Sequence, residues 1–152
     1  MKDEKELNKS NIPFHIALVD DETIFCKRIR NFLLKKSYSI DTFLTGADFL
    51  HPTSSRVFDL VFLDLKLPDI NGLKIFEYLR RVHPETNVVI ITGYGSIDSA
   101  VRAIKEGAVN YLCKPVRLND ILSIVSSIKE EVILRKNNKL LQESLKKNNI
   151  LD

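Results

Sequence analysis

Apolar positions along this chain follow two alternating periods. Three short runs, IALV, LVFL and VVII, are apolar without interruption, as strands covered on both faces must be. Two further segments, YSIDTF and VNYLCKP, read as strands of more mixed character. Between them lie stretches with helical spacing: Phe25, Ile29, Phe32 and Leu33; the short GADFL segment; Leu73, Phe76 and Leu79; Ile97, Val101 and Ile104. A last helix is predicted from about Leu118. Five strands alternating with five helices predict an α/β fold, a doubly wound five-stranded parallel sheet with an extended C-terminal helix. The polar, aperiodic segment 1–12 reads as a flexible tail, 13–128 as the domain and 129–152 as a helical extension.

In such a sheet, right-handed crossovers place the carboxyl ends of all strands on one edge, and ligands bind there, where the strand order reverses. The predicted strands end in VDDE (Asp20, Asp21), FLDL (Asp64), IITG (Thr92) and CKPV (Lys114). Three acids, a hydroxyl and an amine, far apart in sequence, are therefore expected at one mouth.

Composition removes other readings. The 152 residues suit one domain with an appendage, and a net charge of +3 with both signs interspersed offers no basic stripe for nucleic acid. No run of 18 apolar residues and no apolar signal core occurs, so the expectation is a cytoplasmic protein with no membrane contact. Cys26 and Cys113 lie in apolar contexts with no metal-type or CxxC spacing, and read as small buried hydrophobes.

Two like charges about 4 Å apart repel by on the order of 4 kcal/mol at an effective dielectric near 20, so three clustered carboxylates call for a cation. Mg²⁺ suits an oxygen-only donor set and takes phosphate oxygens as further ligands; the absence of His or Cys beside the acids argues against zinc. Asp64, ionised at neutral pH, can act as a nucleophile toward phosphorus without a general base. The Lys114 ammonium and the Thr92 hydroxyl can each meet a phosphoryl oxygen, and Gly93 leaves the mouth open. In LPDINGL, Pro68, Asp69, Asn71 and Gly72 predict a sharp turn that can bring a backbone carbonyl just past Asp64 toward a metal. Lys114-Pro115 is a candidate cis bond. Read singly, each residue has a plainer role: Asp20 or Asp21 capping a helix, Thr92 bonding its own turn, Lys114 reaching water.

Taken together, the LVDDE, FLDLKLPDINGL, ITGYGSIDSAV and NYLCKP segments and the Lys114-Pro115 pair resemble the receiver domain of two-component response regulators, a flavodoxin-like fold, over roughly 16–128. The resemblance implies that Asp64 accepts phosphate from a sensor histidine kinase. It implies Mg²⁺ bound by Asp21, Asp64 and the backbone carbonyl of Lys66, with Asp20 acting mostly through water. Thr92 and Lys114 would contact the phosphoryl group, and Tyr111 would be a rotameric switch following Thr92 inward; its plainer role is a strand aromatic packed on a helix. The segment TGYGSIDSAVRAIKEGAVNYLCKPV is most similar to receivers of NtrC-type transcriptional activators. The chain would then be a regulatory phosphoacceptor and not an enzyme acting on external substrates, with DNA reached only through a downstream output domain. The alternatives are a receiver-like interaction module, a regulator of an output that does not bind DNA, and an aspartate-nucleophile phosphohydrolase. Against the last, such enzymes resemble this chain but carry a second Asp two residues on, where Lys66 stands.

In the last helix, Ile121, Val125, Ile128 and Val132 show the spacing of a coiled-coil seam, repeated in a shifted frame by Leu134, Asn138, Leu141 and Leu145. These positions predict a parallel homodimer through the C-terminal helix, with a local stutter between frames; a solvated amphipathic helix is the alternative.

Overall fold

The computed structural model describes residues 12–52 and 56–150; the expected N-terminal tail falls, apart from Ile12, outside the described residues. Five strands, β1 (Ile16–Val19), β2 (Ile40–Phe43), β3 (Leu60–Leu63), β4 (Asn87–Thr92) and β5 (Asn110–Cys113), alternate with five helices. The helices are α1 (Thr23–Lys35), α2 (Gly46–Leu50), α3 (Gly72–Val82), α4 (Ile97–Lys105) and α5 (Leu118–Ile150). All strand pairs are parallel in the order β2-β1-β3-β4-β5, with Ile16 opposite both Ile40 and Leu60. The order reverses between β1 and β3, so the chain segments after these two strands frame a crevice.

Strand alternation divides the buried residues between two layers. Ile16, Leu18, Leu60, Phe62, Val89 and Ile91 face α1 and α5, while Ala17, Val19, Val61, Leu63, Val88 and Ile90 face α2, α3 and α4. This two-sided burial is what the uninterrupted apolar runs predict. At about 25 cal/mol per Å² of apolar surface, these layers supply the main driving force for the fold.

Helical spacing alone does not say which face of α4 and of α5 is covered. In α4 the helix-spaced residues Ile97, Val101 and Ile104 lie exposed, Ile97 at 83%, and Ala103 is the buried residue. A Ser96/Ser99 capping box starts this helix, and Ser99 Oγ meets Tyr111 Oη at 2.8 Å, which turns the small side chains toward the sheet. In α5, Ile121, Val125, Ile128 and Val132 are all buried in the domain's own core, so the first seam frame is intramolecular packing. The helix continues unbroken through the frame change. Just past it, Lys136 Nζ pairs with Asp59 Oδ1 at 2.9 Å and donates to the Pro13 carbonyl at 2.8 Å, fastening the helix to the amino-terminal edge of the sheet.

Candidate functional site

The carboxyl edge gathers the acids as strand topology requires. Ligand atoms of Asp20, Asp21 and Asp64 lie within 4.8 Å of one another, and Lys114 enters from the end of β5. Its Nζ stands 2.7 Å from Asp20 Oδ2, 3.3 Å from Asp64 Oδ2 and 3.4 Å from Glu22 Oε1, above the Phe25 ring at 4.5 Å. The Lys114-Pro115 bond is cis.

Neither Asp20 nor Asp21 caps α1. The cap position is Glu22, with no side-chain bond of its own, and its amide donates to Asp20 Oδ1 at 2.8 Å. Asp20 is completely buried, and its Oδ2 is met by the Lys114 ammonium as an ion pair at 2.7 Å. Burial raises the Asp20 carboxyl above the ordinary carboxylate range, against the opposing pull of Lys114 and the Glu22 amide. On Lys114, burial works to lower the pKa, but the Asp20 contact and the charges of Asp20, Asp64 and Glu22 outweigh it and hold the ammonium above its usual value. The same surroundings act on Cys26, whose Sγ donates to the Asp20 carbonyl at 3.3 Å: burial first and the Asp20 charge second push its thiol up to about 12. Cys26 is thus the inert buried thiol expected, whereas Cys113, expected to be buried, is exposed at the end of edge strand β5.

Asp64 itself is buried at the end of β3, with Lys66 N donating to its Oδ1 at 3.0 Å. It opens into a cleft of about 280 Å³ whose walls include Asp21, Lys66, Pro68, Gly93 and Lys114. Thr92 and Tyr111 do not line that cleft. They line the adjoining cavity of about 440 Å³ together with Ser99, and the two cavities share Lys66, Leu67, Pro68 and Tyr94. Thr92 Oγ1 accepts from Tyr94 N at 3.2 Å, the turn bond weighed as its plainer role. Glu22, Phe25 and Ser99 were not among the expected site residues. Glu22 was legible as the third acid of VDDE; Phe25 and Ser99 carried no chemical signal beyond helical spacing.

A hard divalent cation fits this donor set. The ligands are oxygens only, and three carboxylates converge with their oxygens within 4.8 Å of one another.

Residues 16–126 match the family model described as the response regulator receiver domain. The chain belongs to that family. It is 38% identical over 106 residues to the photosynthetic apparatus regulatory protein RegA of Rhodobacter capsulatus, covering 70% of this receiver chain and 58% of RegA. Against the transcriptional regulatory protein GlrR of Escherichia coli K12 it is 32% identical over 122 residues, covering 80% of this chain and 28% of GlrR. The chain therefore spans a little over half of one curated relative and about a quarter of the other. Among solved structures, the beryllofluoride-activated NtrC4 receiver domain dimer superposes with a TM-score of 0.71 at 31% identity, covering 77% of this chain and 97% of that one. NtrC-like regulators are thus among its relatives, as the sequence resemblance implied. Receiver domains are regulatory modules of two-component signalling, and no helix of the described residues is long and apolar enough to cross a membrane.

Proposed function

We propose that this receiver accepts a phosphoryl group on Asp64 from the phosphohistidine of a sensor histidine kinase. The observation that carries the reading is the Asp64 carboxylate at a strand end, facing an open cleft, 3.3 Å from Lys114 and clustered with Asp20 and Asp21. An Asp64 Oδ attacks phosphorus while the N–P bond of the phosphohistidine breaks, its electron pair returning to the imidazole nitrogen, which takes up a proton. Asp21, Asp64 and the backbone carbonyl of Lys66 would hold Mg²⁺, with Asp20 acting through water. Bound there, the ion supplies charge neutralisation for the phosphoryl oxygens. Lys114, released in part from the acids, contacts one phosphoryl oxygen and Thr92 donates to another. Tyr111, whose hydroxyl bonds Ser99 beside the cavity it shares with Thr92, follows Thr92 inward as the rotameric switch. Movement there reaches the apolar α4 face of Ile97, Val101 and Ile104, where a changed surface is read by a partner.

Lys66, two positions after Asp64, supplies no carboxyl for proton shuttling, which favours a phosphoacceptor over a phosphohydrolase. Incubation with acetyl phosphate and Mg²⁺ should give one hydroxylamine-labile phosphoryl adduct in the intact-protein mass spectrum, absent in Asp64→Asn. No adduct, or one that survives that substitution, refutes the proposal.

The receiver works as a cytoplasmic parallel homodimer through α5, controlling an NtrC-type transcriptional activator whose output domain makes any DNA contact. Supporting this, Leu134, Leu141 and Leu145 remain 61–63% exposed in a heptad frame with Asn138, beyond the part of α5 spent on the domain's own core. Leu141→Asp with Leu145→Asp should convert a dimer into a monomer in sedimentation velocity without lowering the thermal midpoint by more than a few degrees. A monomeric wild type at tens of micromolar would remove the dimer from the reading.

A further inference from the structure

The loop between Asp64 and α3 carries the Lys66 carbonyl, and its two ends are tied in different ways. At its base, Lys66 N bonds Asp64 Oδ1, Gly72 N bonds the Leu65 carbonyl at 2.9 Å, and Lys66 and Asn71 form an isolated antiparallel bridge. Its tip, from Pro68 to Ile70, is held from another element. Asp69 Oδ1 accepts from Gly46 N at 3.0 Å and Oδ2 from Ala47 N at 2.9 Å, across to the start of α2.

The donor pairing leaves no redundancy. Thr45 Oγ1 accepts from Asp48 N at 3.1 Å, so the cap satisfies the third amide of the helix and the first two fall to Asp69. Gly46 makes the approach possible: a Cβ there would stand 3.0 Å from Ile75 Cδ1 and 3.1 Å from Ile70 Cβ. The two amide bonds hold the Asp69 carboxyl below the ordinary range, the mark of a carboxylate bound as an anion.

We propose that Asp69 is a positioning residue for the divalent cation, fixing the tip of the Asp64–Gly72 loop on the first two amides of α2 so that the Lys66 carbonyl is held ready. The inference rests on the reading of this site as a Mg²⁺ site. Partners bonded directly to a metal's ligands typically change its affinity by about 10–100-fold when lost, and Asp69 acts on the Lys66 carbonyl only through the loop it ties to α2. Asp69 lies at the surface, which sets its expected effect at the lower end, about 10-fold. Linkage makes the effect reciprocal: if the tied loop binds the ion better, the ion must also tighten the tie.

Two measurements test this on the intact chain. Titration calorimetry should show the Mg²⁺ dissociation constant raised about 10-fold in Asp69→Ala and by less in Asp69→Asn, which keeps one acceptor oxygen. Phosphorylation by acetyl phosphate should be slowed in Asp69→Ala at subsaturating Mg²⁺ and restored at saturation. In the wild type, amide exchange at Gly46 and Ala47 should slow when Mg²⁺ is added, a result a purely structural tie would not give and one that stands even if the variants fold poorly. Unchanged affinity in a folded Asp69→Ala, or exchange at those amides indifferent to Mg²⁺, overturns the role of Asp69 and leaves the Mg²⁺ site intact. A wild type that binds no Mg²⁺ overturns both.

Discussion

Lys114→Ala should destabilise the protein by about 3–5 kcal/mol at neutral pH, the usual cost of leaving buried charge without its partner. The side chain is only 13% exposed and stands against Asp20 and Asp64, which are buried together at the switch point of the sheet. Three features separate this loss from ordinary truncation of a long side chain. First, Mg²⁺ should restore part of it, since a ligand at 100 times its dissociation constant stabilises the fold that binds it by about 2.7 kcal/mol. Second, the deficit should narrow as pH falls. Burial raises Asp20 in the folded state, so its charged form weighs against folding at neutral pH and that weight lifts as pH drops through the raised value; without Lys114 the value rises further. Third, the wild type should lose the contribution of Lys114 in alkali. The ammonium is held above the ordinary lysine value when folded, so its stabilisation is complete below that ordinary value and disappears as pH rises through the higher, folded one. Urea denaturation at neutral pH, near pH 5 and above pH 10.5, with and without Mg²⁺, reads all three. A deficit under about 1 kcal/mol that ignores both pH and Mg²⁺ would mean that the acids are compensated without this lysine.

What could be read in the sequence was whatever depends on strand order alone. An acid or an amine at the last position of a buried strand has one place to go, and Asp20, Asp64 and Lys114 went there. Helix faces were a different matter, because spacing identifies a stripe without naming what covers it. The residues Ile97, Val101 and Ile104 have the period of a core face, yet the sheet is met by Ala103. Conversely, Ile121, Val125, Ile128 and Val132 have the spacing of a seam between chains, and the same spacing serves a helix lying on its own sheet. Cys113 reads as buried beside Tyr111 and Leu112, but β5 is an edge strand, and the strand order needed to see that is not written locally. The ties that set the site also escaped. In LPDINGL, Asp69 has the look of a turn residue, and its amide partners lie more than twenty positions away on α2.

Gly72→Ala and Gly93→Ala, two single-methyl substitutions beside the same cleft, should have opposite outcomes. At Gly72, the first residue of α3 after the Asn71 cap, an added Cβ would overlap the Asp64 carbonyl oxygen and stand 2.5 Å from Leu65 Cα and 2.9 Å from Leu65 C. Every one of those atoms is backbone, so no rotamer change can make room; either α3 withdraws or the strand end carrying Asp64 shifts. Methyl insertions that neighbouring side chains can absorb cost about 1–3 kcal/mol, and one opposed by main chain should reach or exceed the top of that range. Because phosphoryl transfer depends on position, a displacement near 1 Å should slow adduct formation about 100-fold. At Gly93 an added Cβ meets nothing within 4 Å, and adduct formation should stay near the wild-type rate. The comparison is made by rates of phosphorylation from acetyl phosphate at saturating Mg²⁺, beside urea midpoints for each variant. If Gly72→Ala reacted and unfolded like Gly93→Ala, the tight contact between the start of α3 and the Asp64 backbone would not be what holds the acceptor in place.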